Sequence, residues 1–225
     1  MAQQERAIRT RERILLSAAE VFDETGYDAA TISEILKRSQ VTKGALYFHF
    51  TSKQELAQAV LASQLASVPP VPQQDLVLQE GLDSALLLAH LLSQGDPMVR
   101  GSIRLTVDQV LAHDGLDRRV PMQGWTDSNV AILEKARQNG ELMQHVNIET
   151  AAKLFVGAFT GVQILSKIMT NHADMVERVL DLQQHLLTSI AVPPVLVRLD
   201  FAPDRAQRVY EAALKLQAER APAPV

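Results

Sequence analysis

The chain contains no cysteine, which excludes disulfides and thiolate metal sites and fits a reducing cytoplasm. Aromatic residues make up only 4% of its 225 positions, with a single tryptophan. No run of 18 consecutive apolar residues occurs, and the richest piece, ALLLAHLL at 85–92, is too short to cross a bilayer. The opening MAQQERAIRTRER is polar and lacks the apolar core of a signal peptide. A soluble cytoplasmic protein without membrane contact is expected. Alternating Val/Ile/Thr runs bounded by turns are missing too, which argues against a sheet. The six histidines (His49, His90, His113, His145, His172, His185) are scattered, with neither an HExxH nor a Ser/His/Asp pattern. Catalysis, a metal and a cofactor are therefore not expected, and HDGLD at 113–117 reads as a solvated turn.

Apolar residues at 47% and charged residues at 21% describe an ordinary globular chain, long enough for one large domain or two modest ones. The net charge of −4 argues against nucleic-acid binding by the chain as a whole. Residues 1–53 nevertheless carry eight Lys/Arg against seven Asp/Glu. Arg6, Arg9, Arg11 and Arg13 are crowded at the start, opposed there only by Glu5 and Glu12. Such a basic arm on an acidic body can meet phosphate locally.

Nearly every segment reads as helix. Ile14, Ala18 and Phe22 recur at fours in a helix over 9–25, which Gly26 ends. TISE places a cap at Thr31 with Glu34 reaching back, Thr42 caps a short helix, and SKQE repeats the capping box at Ser52 and Glu55. Three start signals so close together predict short helices at sharp angles, a compact head of three or four helices. The proline run VPPVPQQ at 68–74 interrupts the pattern. Longer amphipathic helices are expected at 75–93, 97–112 (Asp96 as cap), 123–139, 149–170, 173–190 and 203–219, with a disordered APAPV tail. The fold class is all-α: a head over 1–53 and a larger helical domain over 54–225.

Helix, tight turn, helix is the arrangement that lays a second helix in the major groove of DNA. On the second helix Ala45, Leu46 and Phe48 are expected to face the core formed by Ile14, Phe22, Ile35 and Leu56, with Phe50 also inside. That leaves Thr42, Lys43, Gly44, Tyr47 and His49 outward. Lys43 can donate to guanine or phosphate, Thr42 can touch phosphate or a thymine methyl, and Gly44 lets the backbone come close. Tyr47 and His49 offer polar tips, Lys53 adds charge, and Thr31, Arg6 and Arg9 complete the candidate surface. Packing alone would also account for a short helix of mixed aromatics.

ILLSAAEVFDETGYDAATISEILKRSQVTKGALYFHFTSKQELA resembles the N-terminal DNA-binding domain of TetR-family transcriptional regulators almost position for position. One departure is the turn Ser39-Gln40-Val41, where that family commonly has glycine. A positive φ at Gln40 would cost about 1 kcal/mol.

GLDRRVPMQGW (115–125), GELMQHV (140–146), LFVGAFTGVQILS (154–166) and AVPPVLVRLD (191–200) look like the gamma-butyrolactone autoregulator receptors of antibiotic-producing bacteria. The resemblance implies a repressor that leaves DNA when a butyrolactone or butenolide binds, and makes Trp125 a wall of the ligand pocket. Without it, a packing role for that ring would be the better reading. Thr160 and Gln163 lie on an apolar helix with Phe159, so a lactone carbonyl or their own backbone could satisfy them. Gln64 and Asp108 are weaker candidates of the same kind. A repressor responding to drugs or other hydrophobic metabolites, or a branch member without a lactone, is the alternative.

The resemblance further implies a homodimer joined through the helices at 149–170 and 173–190, where Gly157 and Gly161 would allow close approach. A symmetric dimer sets its two recognition helices one DNA turn apart, about 34–36 Å, on palindromic double-stranded operator DNA. Ligand would lower operator affinity by a coupling free energy of about 1–3 kcal/mol, with the helix from 52 to 66 as the lever.

Overall fold

A computed structural model of the chain describes residues 2–107 and 114–220. Eleven helices occur among the described residues. They fall into two compact units, Met1–Ser67 with Gly95–Pro121, and Val68–Gln94 with Met122–Val225. The boundary expected at 53 falls inside the first of these.

The first unit holds α1 (Ala2–Ala29), α2 (Ile32–Ser39), α3 (Lys43–His49), α4 (Lys53–Ala62) and α6 (Pro97–Val107). Gly26 breaks α1 with φ 75°, ψ 173°, so the glycine stop is real, although the helix begins well before residue 9. Thr31, Thr42 and Ser52 each accept the backbone N–H three residues on, at 3.1–3.2 Å. Only half of each expected capping box forms this way. Glu55 turns instead to the N–H and hydroxyl of Thr51, both at 2.6 Å, and those two donors hold its carboxyl below the usual range. Gln40 adopts φ 53°, ψ 35°, and its N–H still closes α2 on Leu36 O at 3.0 Å. The left-handed turn is thus made without glycine.

Ile14, Ala18, Phe22, Ile35, Leu46, Phe50, Leu56 and Leu61 form the head's core, joined by Leu105 of α6. Each of the large aliphatic and aromatic side chains among these contributes about 1.5–3 kcal/mol by burial. Arg38 clasps Glu24 through two hydrogen bonds of 2.6 and 2.7 Å, tying α2 to α1 and lowering the carboxyl's pKa. On α6, a Cβ placed at Gly101 would stand 2.2 Å from Ala19 O, so the two backbones touch there. Asp96 caps α6 through Val99 N–H at 2.9 Å. The rest of the helix expected to 112, including Asp108, lies outside the described residues, as does the tail at 221–225.

The second unit is built on α5 (Val77–Gln94), with α7 (Arg119–Gln138, whose first turn belongs to the first unit), α8 (Ile148–Thr170), α9 (Met175–Ile190), α10 (Pro193–Leu196) and α11 (Arg205–Arg220). Leu82, Leu86, Leu87 and Leu92 of α5 are fully buried. Buried Glu141 receives both Val77 N–H and Leu78 N–H at 2.9 Å, a carboxylate cap on the positive end of α5. Buried Asp83 takes two hydrogen bonds from Arg205 of α11, at 2.8 and 2.5 Å, and a third from Gln79 at 2.8 Å. The break at AVPP contains the single turn α10, and one antiparallel bridge pairs Leu142 with Ala191. Neither was foreseen. By length and composition α8 is long and apolar enough to cross a membrane, although the sequence has no uninterrupted run of 18 apolar residues.

Candidate nucleic-acid interface and effector domain

The α2–turn–α3 unit presents Thr42, Lys43, Gly44 and Tyr47 exposed on one short helix, with His49 half-buried. Among the described residues nothing outside the helix's own backbone comes within 4 Å of a Cβ built at Gly44, so that side of α3 is open to another molecule. Lys43 Nζ lies 5.9 Å from the Tyr47 ring, leaving its protons available. Thr31 is also exposed, its hydroxyl oxygen occupied by the α2 cap.

Two expectations need correction. Phe48 is not core: it is 79% exposed, its ring meeting that of His49 edge-on with centroids 5.0 Å apart. Leu46 and Phe50 fill the inward positions, and Ala45 is half-buried. On a seven-residue helix the inward stripe has room for one large side chain per turn, and position 48 falls on the opposite face. Lys53 is not a free surface cation either. Its ammonium donates to the carbonyls of Tyr27, Asp28 and Ala30 at 2.9, 3.3 and 3.0 Å and lies 4.4 Å over the Tyr27 ring. It neutralises the negative end of α1 rather than extending outward.

The head's cations therefore divide. Arg38 and Lys53 are consumed internally, and Arg11 sits 5.1 Å over the buried Phe50 ring. Arg6, Arg9 and Arg13 line a shallow depression on exposed α1 with Glu5 and Thr10, spaced to share one helix face. Lys37 on α2 is exposed as well, a candidate that the sequence reading passed over.

Of the expected ligand contacts, Gln64 (2% exposed) lies in the first unit. Trp125, Phe159, Thr160 and Gln163 lie in the second. Trp125 sits within α7, and the PMQG before it is already helical. It is half-buried, and its carbonyl accepts from Asn129 at 2.9 Å. The Thr160 hydroxyl donates to Val156 O at 2.8 Å, the own-backbone option. Gln163 is buried at 6% exposure and Phe159 is half-buried.

On α8, Leu154, Ile164, Leu165, Ile168 and Met169 are exposed, the last two at 72% and 67%. Gly157 and Gly161 lie among them with open space at their Cβ positions. This apolar face has no partner among the described residues of the chain.

The sequence profile of bacterial regulatory proteins, tetR family, matches residues 14–60. Similarity extends well beyond it. The A-factor receptor protein of Streptomyces griseus is 38% identical over 199 residues, covering 88% of this chain and 70% of that one. The crystal structure of full-length native TylP, a TetR regulator from Streptomyces fradiae, superposes with TM-score 0.88 at 59% identity, covering 93% and 99%. The chain belongs to the TetR family.

TetR-family proteins are DNA-binding transcriptional regulators and not enzymes, and they act as dimers on operator DNA. One solved relative, CprB from Streptomyces coelicolor, is in complex with its biological operator sequence; it is 26% identical, with TM-score 0.64 over 95% of this chain and 99% of that one. This TetR-type regulator is thus closely related to A-factor and gamma-butyrolactone receptors and to TylP. The helix-turn-helix head agrees with that membership.

Proposed function

We propose that the protein is a cytoplasmic, dimeric repressor that binds a palindromic operator and is released by a gamma-butyrolactone or butenolide signal. The observation carrying this reading is similarity to the A-factor receptor through 88% of the chain, effector domain included. Thr42, Lys43, Gly44, Tyr47 and His49 contact the major groove, joined by the exposed ring of Phe48. Thr31 and the α1 arginines Arg6 and Arg9 meet phosphate, and Lys53 braces the scaffold. Trp125, Phe159 and Gln163 face the ligand. The exposed apolar side of α8 pairs with its copy, which supplies the missing cover for Ile168 and Met169.

The test uses the full-length protein and a duplex selected from random sequence. Fluorescence anisotropy measures operator affinity with a gamma-butyrolactone, a butenolide, or a cationic drug present. A coupling free energy of about 1–3 kcal/mol appears as a 5–150-fold loss of affinity with a lactone. Release by the drug alone, or by nothing, overturns the lactone reading. In Trp125→Ala, operator affinity persists while release is lost; normal release would remove that ring from the pocket.

A further inference from the structure

The HDGLD stretch, expected to be a solvated turn, is bound to α4 over its described residues. Gln54 and Gln58 lie one helical turn apart on the same face of α4. Gln54 Nε2 donates to Gly115 O at 2.9 Å. Gln58 pairs with both backbone groups of Asp117: its Oε1 accepts Asp117 N–H at 2.9 Å and its Nε2 donates to Asp117 O at 3.3 Å. A side-chain amide here takes the place a neighbouring strand would occupy.

The segment is shaped for this contact. Gly115 has φ +75°, and a Cβ on it would stand 2.4 Å from Gln54 Nε2, so glycine serves both the turn and the approach. Leu116 packs against the head's core. Arg118 fixes the far end, donating to Leu105 O of α6 at 2.8 Å and to Asp114 Oδ1 at 2.9 Å. A turn that only reverses the chain does not need this many side-chain bonds to the backbone of other elements.

We infer that Gln54 and Gln58, by gripping Gly115 and Asp117, form a latch that makes the position of α4 depend on the state of α7. From Arg118 the chain runs directly into α7, which carries Trp125 seven residues on. In the other direction α4 follows α3 across three residues, where Glu55 holds Thr51. Gln54 and Gln58 are positioning residues: they touch neither operator nor effector. The identity of the effector rests on the lactone reading above, but the coupling does not. Linkage is reciprocal, so operator binding alone must be felt in α7.

The experiment follows Trp125 emission and amide hydrogen exchange over residues 114–130 of the full-length dimer, with and without the selected operator duplex. In the wild type the Asp117 amide is protected, and operator changes both its protection and the Trp125 signal. The double variant Gln54→Met/Gln58→Met keeps side-chain length but removes the bonds. It binds operator within about threefold of wild type, while the response of 119–130 is lost. Gln58→Glu, which retains the acceptor and loses the donor, falls between.

An Asp117 amide that exchanges freely in the wild type overturns the latch without any variant. So does a double variant whose α7 responds like the wild type. A lactone that fails to release the wild type, while the operator-driven response is present and latch-dependent, removes the lactone reading and leaves the latch standing. A lactone that releases wild type and double variant alike removes the latch and leaves the lactone reading.

Discussion

Gly101→Ala is the sharpest test of how the head is assembled. The added Cβ would lie 2.2 Å from Ala19 O, 2.7 Å from Ala19 C and 2.8 Å from Ala19 Cα. Carbon contacts are comfortable at about 3.5 Å or more, so α6 and α1 must part by about 1 Å. The obstacle is backbone inside a helix, and no rotamer change removes it. A gap of that size forfeits about a quarter to a half of each dispersion contact across it. Leu105 shares one core cluster with Ala18, Ala19 and Phe22, so the loss falls on buried side chains. Overpacking that flexible side chains can absorb costs about 1–3 kcal/mol; a rigid obstacle belongs at the top of that range. Replacing glycine in a helix returns about 1 kcal/mol of propensity, leaving about 2 kcal/mol net. For a chain of this size that lowers Tm by about 4–8 °C, read by calorimetry with Gly44→Ala as control. Gly44 has nothing among the described residues outside its own helix backbone within 4 Å of its Cβ position, so its variant melts at or above wild type without DNA. A Gly101→Ala protein melting as high as wild type would refute the backbone contact and the inclusion of α6 in the head.

Other outcomes follow from the same geometry. Lys43→Ala should weaken operator binding by about 1–3 kcal/mol if it reads a base, and flatten the salt dependence by about one if it meets a phosphate, with Tm unchanged; an anisotropy titration at several salt concentrations separates the two. Phe48→Ser, at a side chain the fold does not bury, should leave the unfolding free energy within about 0.5 kcal/mol of wild type while reducing operator affinity, and a large fall in Tm would return Phe48 to the core. His90 is buried against Tyr210, ring centroids 4.7 Å apart, and burial lowers its pKa. The unfolded chain therefore binds that proton more readily, so the stabilisation is full above the unfolded pKa of about 6.5 and is lost as pH falls below it. His90→Phe should remove this component, narrowing its Tm deficit or widening its Tm advantage as pH falls; parallel melting curves would show that His90 does not titrate there.

Most of the head was legible because its signals are local. A threonine or serine three residues before a free N–H, or apolar residues at fours, act within one or two turns. Gln40 illustrates a legible exception: the turn geometry is fixed by the two helices it joins, so a non-glycine residue is held in the left-handed region at modest cost. What could not be read depends on distant partners. Lys53 meets carbonyls more than twenty residues earlier in the chain, and Gln58 meets Asp117 fifty-nine residues later. Neither pairing leaves a mark in nearby spacing. The polar candidates in the effector domain were ambiguous for a related reason. Thr160 could satisfy itself on Val156, and it does, whereas the periodicity of its helix is the same in either case.

The failures of ordinary burial are themselves informative, because sequences tend to break local rules where another molecule completes them. Phe48 and the Leu154–Met169 face of α8 are the clearest instances. For Phe48, the chain spends a scarce aromatic on an open position beside Lys43 and Tyr47, which is sensible only if a partner desolvates it. A thymine methyl or the sugar backbone would do so without demanding a hydrogen bond from the ring. For α8, the exposed residues recur on one side of a helix whose opposite side holds buried Ala152, Phe155, Gln163 and Ser166. A membrane would accept apolar residues all round and would not need that polar, internally packed stripe. A second copy of the same helix covers one face only. Ile168→Glu should therefore convert the dimer to a monomer at micromolar concentration. The isolated chain should keep its fold, since the substituted side chain touches nothing within it that the fold requires. A variant that stays dimeric by sedimentation would place the interface elsewhere. One that turns insoluble rather than monomeric would mean the face carries folding energy that this chain's own packing does not reveal.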